Sequence, residues 1–562
     1  MKGVKAPALM VFLGAALLAG SSGGPIALIK ISKVPGPVEL RLETLRIDVR
    51  QELETCFLAL AEPEDLDRLR KNKVGFSVID RTAGGGEVLL VRVDDPDALS
   101  SLRRAGRASV VEPGTAVFWT ETGSASASVP AGLPRKALSL RSVLPYLSRR
   151  SATATSKPVT AAPDPLIQTI VSLVSGPGLS SRVQTLQDFQ TRYASTANCE
   201  SAGEFLFSEF SALGLDDVRF QAFPFSSYTS RNVIAEKTGE TYPDDVFIIC
   251  GHYDSTSPAA TRQTSAPGAD DDASGTAAVL EAAYVLAAFP LDFTVRFIAF
   301  SAEEWGLYGS RAYAAAARQA GERVLGVINL DMIGYADALP EDLQIIVNSR
   351  SSWLADLFIA AAANYGPVGA TKTVDASFVY SDHSPFWDNA YPALLAIEDN
   401  PLRNPYYHQT SDTLDRLDIG FFTGATRSAV GLLAELAQPV RAGYPRTPVG
   451  LQSRWVVYSS LFNSLSAVRL TWTGQSDAAG YNVYRADVSH VGYVKINAAP
   501  VAGTSFNDNA VTSDLAYYYV VTAVAASGLE SNRSRETSPY AVVIDTVNRS
   551  LAPTLIRFRR WI

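Results

Sequence analysis

Between residues 166 and 440, apolar runs alternate with helical patterns. Four short runs are largely apolar and predict buried strands: Val246–Cys250, Val295–Phe300, Gly326–Leu330 and Ala393–Ile397. The segment Ala273–Ala288, which is rich in Ala and Leu, predicts a helix between the first two strands. Buried strands that alternate with helices indicate an α/β domain, and we expect a mixed, centrally parallel sheet sandwiched by helices. Binding sites in such sheets form at the carboxyl ends of the strands.

Residues 27–120 carry the same order of strand, helix and strand twice. The predicted strands are Leu58–Leu60 and Val74–Ile79 in the first copy, and Val88–Val93 and Ala108–Val111 in the second. Pro63 and Pro96 stand at the first position of the two helices, where Pro is favoured. Two βαβ units in tandem predict an α+β, ferredoxin-like module. The module has no convergent polar cluster, so we interpret it as a pro-segment or docking domain.

The remaining segments differ in composition from both regions. Residues 121–165 are rich in Ser, Ala, Thr and Pro, which predicts a flexible linker, with Arg149-Arg150 as a processing site. Residues 450–545 contain short aromatic strands and resemble a fibronectin type III β-sandwich, in which Trp472 and Tyr517 match the buried Trp and the tyrosine corner. A ligand at the cell surface or in the matrix is the partner expected for this sandwich. Residues 546–562 are a tail.

Residues 1–24 have the pattern of a signal peptide. Lys2 and Lys5 precede the apolar run Ala8–Ala19, and small residues follow at Gly20–Gly24. The run is short for a membrane span, which needs about 20 residues. We therefore expect a secreted or extracellular protein, periplasmic or cell-surface locations included, with no stable membrane span after removal of the signal.

Composition limits the chemistry further. The chain has 562 residues, enough for about three or four domains. Its net charge of -8 gives no basic face for nucleic acid. Three cysteines exclude a disulfide framework and a four-cysteine zinc site. A bound metal must therefore be held by carboxylate oxygen and imidazole nitrogen.

Two of the four histidines lie among carboxylates. His252 follows the first buried strand and precedes Asp254 by two residues. A metal-bound His usually donates its second ring N–H to a carboxylate or carbonyl, and Asp254 is placed to accept it. His408 lies in the polar loop 404–412.

Further carboxylates stand at the start of the predicted helix and after the other strands. The residues are Asp270, Asp271 and Asp272 before the helix, Glu303 and Glu304 after the second strand, and Asp331 after the third. A solvated acidic turn explains any one of these segments alone. The whole set at matching strand ends indicates a metal site.

In their order along the chain and in their residues, these segments resemble the motifs of the zinc aminopeptidase family that includes bacterial leucyl aminopeptidases, glutamate carboxypeptidases and glutaminyl cyclases. The matching motifs are Gly-His-Tyr-Asp-Ser, Gly-Ala-Asp-Asp-Asp-Ala-Ser-Gly, Ser-Ala-Glu-Glu-Trp-Gly, Asn-Leu-Asp-Met and His-Gln-Thr-Ser-Asp-Thr. The resemblance covers roughly residues 166–438 and fills all five metal-ligand positions in order. It implies a zinc exopeptidase-like fold, two Zn²⁺ ions in the catalytic domain, and peptide or protein substrates.

The resemblance also assigns roles to individual residues. The implied metal ligands are Asp271, shared by both ions, with Glu304 and His408 on one ion and His252 and Asp331 on the other. Glu303 becomes the general base, and Asp254 the partner that orients His252. Some relatives carry a Tyr that polarises the scissile carbonyl where this chain has Phe378, with Tyr380 close by.

These observations predict a secreted metalloprotease, a dinuclear zinc aminopeptidase that removes N-terminal residues, apolar ones by preference, from peptides. A carboxypeptidase or dipeptidase and a glutaminyl cyclase are alternative activities within the same family. A receptor-like ectodomain on an inactive peptidase fold is the non-enzymatic alternative, and it is disfavoured because no ligand is lost.

Overall fold

The computed structural model describes most of the chain from residue 162 onward. The described residues are 162–539 without 339, 400, 460–463 and 513–515, together with 27–32, 45, 47–52, 56–72, 74–80, 88–92, 96–112, 115–119 and 135–137. The chain forms two compact units, residues 1–442 and 443–562. The predicted signal peptide and tail lie outside the described residues.

The N-terminal region builds two four-stranded antiparallel sheets. Its elements are β1 Ala27–Ser32, β2 Asp48–Glu52, β3 Cys56–Ala61, α1 Pro63–Lys71, β4 Phe76–Asp80, β5 Val88–Arg92, α2 Pro96–Ala105, β6 Arg107–Glu112, β7 Thr115–Trp119 and β8 Arg135–Ala137. The strand orders are β2-β3-β1-β4 and β6-β7-β5-β8.

The sequence predicted one ferredoxin-like sheet here, and the structure has two. In each sheet an antiparallel strand, β1 or β7, lies between the two strands that the helix connects. Each copy of the duplication therefore completes a split βαβ unit on its own sheet. Strand β8 lies within the range predicted as a linker, and its residues 135–137 pair with β5. Three residues are too short a run to mark a strand by hydrophobic pattern.

The central domain, which the sequence predicts to be the catalytic domain, contains one eight-stranded mixed sheet between helices. Its strands are β9 Asp217–Phe225, β10 Tyr228–Lys237, β11 Tyr242–His252, β12 Phe293–Phe300, β13 Arg323–Leu330, β14 Asp342–Val347, β15 Gly369–Val374 and β16 Ala393–Glu398. Its helices are α3 Pro165–Ser172, α4 Gly176–Gln187, α5 Ala197–Ala212, α6 Ala273–Leu286, α7 Tyr308–Ala320, α8 Ser352–Tyr365, α9 Ser384–Asp388 and α10 Ile419–Ala437.

The strand order is β15-β14-β16-β13-β11-β12-β10-β9. Strands β12, β11, β13 and β16 pair in parallel, which confirms the predicted parallel centre. Helix α6 begins where the Asp272 carboxylate accepts the backbone N–H of Gly275. The helix is buried along nearly its whole length, as its Ala-rich sequence predicts. No helix in the described residues is long and apolar enough to cross a bilayer.

The C-terminal unit has two three-stranded antiparallel sheets. Their strands are β17 Val449–Ser459, β18 Ser464–Thr473, β19 Gly480–Ala486, β20 Val494–Lys495, β21 Ser505–Asp508 and β22 Tyr518–Val524, in the orders β17-β18-β21 and β20-β19-β22. Trp472 and Tyr517 belong to one shared apolar core. The Tyr517 hydroxyl accepts the backbone N–H of Thr512 at 3.0 Å, the bond expected of a tyrosine corner. The fibronectin type III assignment stays a prediction.

Candidate metal centre

The parallel strands bring the predicted site residues to one edge of the sheet. His252 is the last residue of β11 and pairs with Phe300, the last residue of β12. Glu303 and Glu304 follow β12, and Asp331 follows β13. Adjacent parallel strands end on the same side, so these side chains meet although they lie far apart in sequence.

Asp271 lies at the centre of the cluster, between two imidazoles. Its Oδ1 is 3.3 Å from Nε2 of His252, and its Oδ2 is 3.0 Å from Nε2 of His408. On one side, Nε2 of His252 is 3.7 Å from Oδ1 of Asp331. On the other, Nε2 of His408 is 3.0 Å from Oε2 of Glu304. Asp271 is the one residue common to the group around His252 and the group around His408.

Within the described residues, three groups of side chains have donor atoms close enough to hold one ion. Two of these groups are buried and share Asp271: His252, Asp271 and Asp331, and Asp271, Glu304 and His408. The third, Asp337, Glu341 and Asp399, has no imidazole and is partly exposed. Imidazole nitrogen and carboxylate oxygen are the donors that catalytic zinc takes, so the two buried groups fit this metal.

The electrostatics of the cluster favour bound cations. Burial raises the pKa of Glu303 well above its ordinary value and also raises the pKa of Glu304. Burial lowers the pKa of His408, but Glu304 and Asp271 outweigh burial and raise it to about 10. Burial likewise opposes protonation of His252, yet Glu303 and neighbouring carboxylates hold its pKa well above the usual range. The imidazoles therefore take up protons without metal, as expected where carboxylates are crowded in a buried site.

Asp254 contacts His252, the partner expected for it, and also the turn that carries the paired glutamates. Its backbone carbonyl, rather than its carboxylate, accepts the Nδ1 hydrogen bond of His252 at 3.1 Å, and the carboxylate is 3.7 Å from that nitrogen. The carboxylate instead accepts the backbone N–H of Glu303 at 3.1 Å and that of Glu304 at 3.3 Å. Asp254 thus orients His252 through its main chain and holds the paired glutamates through its side chain.

Two residues that support the cluster were not predicted from the sequence as site residues. Arg192 is fully buried, and its guanidinium donates to the carbonyl oxygens of Tyr253 at 2.7 Å and Gly268 at 2.8 Å. It therefore joins the strand end at His252 to the loop that carries Asp271. Asp412 binds the same loop, because its carboxylate accepts the N–H of Asp271 at 3.1 Å. No motif marks Arg192, whereas Asp412 lies four residues after His408 within a quoted motif.

A pocket open to solvent adjoins the cluster. Its polar lining includes the two imidazoles, three carboxylates and Ser381, whose hydroxyl donates to Oδ2 of Asp331 at 2.6 Å. Its apolar and aromatic lining comprises Met332, Phe378, Tyr380, Ile397, Pro401, Leu402 and Tyr407. Among the described residues that line this pocket, none is Lys or Arg. The pocket therefore combines apolar and aromatic side chains with the polar groups of the cluster.

Residues 232–431 match the model of Peptidase family M28. A probable aminopeptidase of Saccharomyces cerevisiae is 29% identical over 260 residues, which cover 44% of this chain and 69% of the relative. Leucine aminopeptidase 1 of Sclerotinia sclerotiorum is 29% identical over 276 residues, 46% of this chain and 70% of the relative. The crystal structure of the Legionella pneumophila LapA aminopeptidase is 18% identical, with a TM-score of 0.45 over 74% of this chain and 99% of that one.

Proposed function

We propose that the chain is a zinc aminopeptidase of Peptidase family M28, whose model residues 232–431 match, and that it removes apolar N-terminal residues from peptides at a site that holds two zinc ions. The observation that carries the proposal is the position of Asp271 between two imidazoles, with one carboxylate oxygen directed to each. A single carboxylate shared by two buried three-residue groups is suited to bridging two cations.

We assign the ligands of one ion to His252, Asp271 and Asp331, and those of the other to Asp271, Glu304 and His408. When bound, zinc supplies Lewis-acid activation of water and of the scissile carbonyl. Glu303 belongs to neither group, yet its Oε2 lies 4.0 Å from Nε2 of His252 and its side chain lines the pocket. This position supports Glu303 as the general base, which takes a proton from the attacking water and delivers it to the leaving amine.

Tyr407 is the proposed donor to the oxyanion. Phe378 has no hydroxyl, and the hydroxyl of Tyr380 donates to Thr115 at 3.2 Å. Tyr407 lines the pocket and stacks on His408 with ring centroids 3.8 Å apart. Burial, and then Asp271 and Glu304, raise the pKa of its phenol well above the usual value, so the group keeps the proton that it donates.

The lining of the pocket supports an aminopeptidase rather than a carboxypeptidase. An Arg or Lys side chain is the usual partner of a carboxylate such as the C-terminus of a peptide. Neither residue occurs among the described residues that line the pocket. Met332, Ile397 and Leu402 form an apolar wall that supports a preference for apolar side chains.

A substrate plate tests this function. Purified protein is incubated with Leu, Met, Phe, Asp and Lys reporters that have a free amine, with the N-acetylated form of each, and with an N-terminal glutaminyl peptide. We expect cleavage only of the free-amine reporters, fastest for the three apolar residues. Release of C-terminal residues from N-acetylated peptides would instead identify a carboxypeptidase, and ammonia release with ring closure a glutaminyl cyclase.

We also propose export of the protein, on the signal-peptide pattern of residues 1–24. N-terminal sequencing of protein recovered from the culture medium should find a mature chain that begins shortly after Gly20. Full-length protein retained inside the cells would argue against export.

A further inference from the structure

A short segment of the catalytic domain enters the core of the N-terminal module. The two N-terminal sheets face each other across one apolar core, formed by Leu28, Cys56, Leu58 and Leu60 of the first sheet and Val88, Leu90, Val111 and Val117 of the second. Val379 and Tyr380 of the catalytic domain belong to the same core. Val379 is fully buried, and the Tyr380 hydroxyl donates to Thr115 of β7.

The residues on either side of this pair face the active site. Phe378 and Ser381 line the substrate pocket, and the Ser381 hydroxyl donates to the proposed ligand Asp331. Residues 375–383 form neither helix nor strand, so the ladder of a sheet does not hold them in place. Local bonds restrain the segment from one side, for example those of the Ser384 hydroxyl and the His383 ring to the carbonyl oxygens of Val379 and Phe378. The N-terminal core restrains it from the other side.

We propose that the N-terminal module is a positioning element of the substrate pocket, whose inter-sheet core binds Val379 and Tyr380 and thereby places Phe378 and Ser381. Of these four consecutive residues, the middle two pack in the module core and the outer two line the pocket, which Tyr380 also lines, so a shift of the middle pair moves the pocket wall. Burial of apolar side chains at this contact favours a module that stays docked after a cut in the linker. This role differs from that of a pro-segment that is removed to release activity.

Two neighbouring residues of β5 provide a matched pair of variants. Leu89 and Leu90 are both fully buried but face opposite sides of the sheet. Leu90 packs in the core that holds Val379 and Tyr380, whereas Leu89 packs in a separate core with Leu102. Truncation to Ala leaves a cavity of similar size in either core. Only Leu90→Ala opens it beside the segment that leads to the pocket.

We measure KM and kcat on an apolar aminoacyl reporter, zinc content, and hydrogen exchange of residues 376–386 in the full chain. Leu90→Ala should raise KM by about tenfold, which is less than the roughly 10²-fold that a 1 Å misplacement can cost. Its zinc content should be unchanged, and residues 376–386 should exchange hydrogen faster. Leu89→Ala should leave KM and the exchange of this segment at wild-type values. Thr115→Val, which removes only the hydroxyl that accepts from Tyr380, should shift KM in the same direction by less.

The activity readout rests on the proposed function, but hydrogen exchange does not. If the wild-type protein cleaves no reporter, the exchange difference between Leu90→Ala and Leu89→Ala still tests the positioning role. Equal exchange of residues 376–386 in both variants would overturn the proposal. A higher kcat/KM in Leu90→Ala would also overturn it, because the module would then restrain the enzyme. A chain cut in the linker provides a third test, since the module should co-elute with the catalytic domain in gel filtration.

Discussion

Oδ1 of Asp254 accepts the backbone N–H of Glu303 at 3.1 Å. Its other oxygen accepts the N–H of Glu304, so one carboxylate holds both residues of the pair. The two side chains project toward different parts of the cluster, since Oε2 of Glu304 is 3.0 Å from Nε2 of His408 and Oε2 of Glu303 is 4.0 Å from Nε2 of His252. The conformation of the proposed general base therefore depends on a residue 49 positions earlier in the chain.

We expect Asp254→Asn to slow catalysis without removing metal. An amide has a single acceptor oxygen, so one of the two glutamate N–H groups loses its partner. Changes to groups that support metal ligands typically cost about 10–100-fold in activity or metal affinity, and we expect that loss in kcat. Asp245→Asn is the matched control, because Asp245 is a buried aspartate of β11, the strand that precedes Asp254, and it pairs with Arg323 at 2.5 Å, away from the cluster. A similar loss of kcat in both variants would contradict the role given to Asp254.

Glu303 and Glu304 should respond differently to substitution. Glu303→Gln keeps the size of the side chain but cannot accept the proton of the attacking water, and the loss of a general base costs about 10²–10⁴ in rate. KM and zinc content should change little, since the group acts mainly in the transition state. Glu304→Ala should weaken zinc binding as well as catalysis. If Glu303→Gln lost a metal ion and kept its rate per ion, the two roles would be reversed.

Tyr407→Phe tests the oxyanion donor. It removes one hydroxyl and keeps the ring that stacks on His408. Loss of a single oxyanion donor typically costs about 10²–10³ in kcat, and KM should change much less. Tyr391→Phe serves as the control, because that buried hydroxyl donates to the carbonyl of Glu322 away from the pocket. A Tyr407→Phe enzyme with wild-type kcat would exclude the phenol from this role.

The sequence predicted the parts of the fold that depend on local pattern. The four central strands and helix α6 were found because full burial demands continuous apolar residues. The outer strands β9 and β15 were missed because few of their residues are buried, which leaves no distinct pattern. In the N-terminal region, β1 lies between two predicted strands of its sheet, and β7 does the same in the other sheet. The position of a strand within a sheet depends on tertiary pairing, so the local sequence did not reveal it.

The candidate site likewise has features that the sequence predicted and features that it did not. The strand ends of His252 and Asp331 locate the cluster because parallel strands share an edge. Arg192 could not be found this way, since the two segments that it joins, at Tyr253 and Gly268, lie more than 60 residues further along the chain. The contact of Asp254 with His252 was assigned from their spacing, but that spacing gave no sign of the bonds between the Asp254 carboxylate and the turn after β12. Spacing identified the residue types, and only the folded chain determines which atoms meet.

The most direct test of whether two zinc ions share Asp271 combines metal analysis with an activity assay. The purified protein is stripped with a chelator and then titrated with zinc, while bound metal and aminopeptidase turnover are measured on the same samples. The shared position of Asp271 predicts that the stripped protein is inactive and that full turnover returns as the metal content approaches two ions per chain. Asp271→Asn should lose affinity at both steps. Full turnover with one ion or with none would contradict the account.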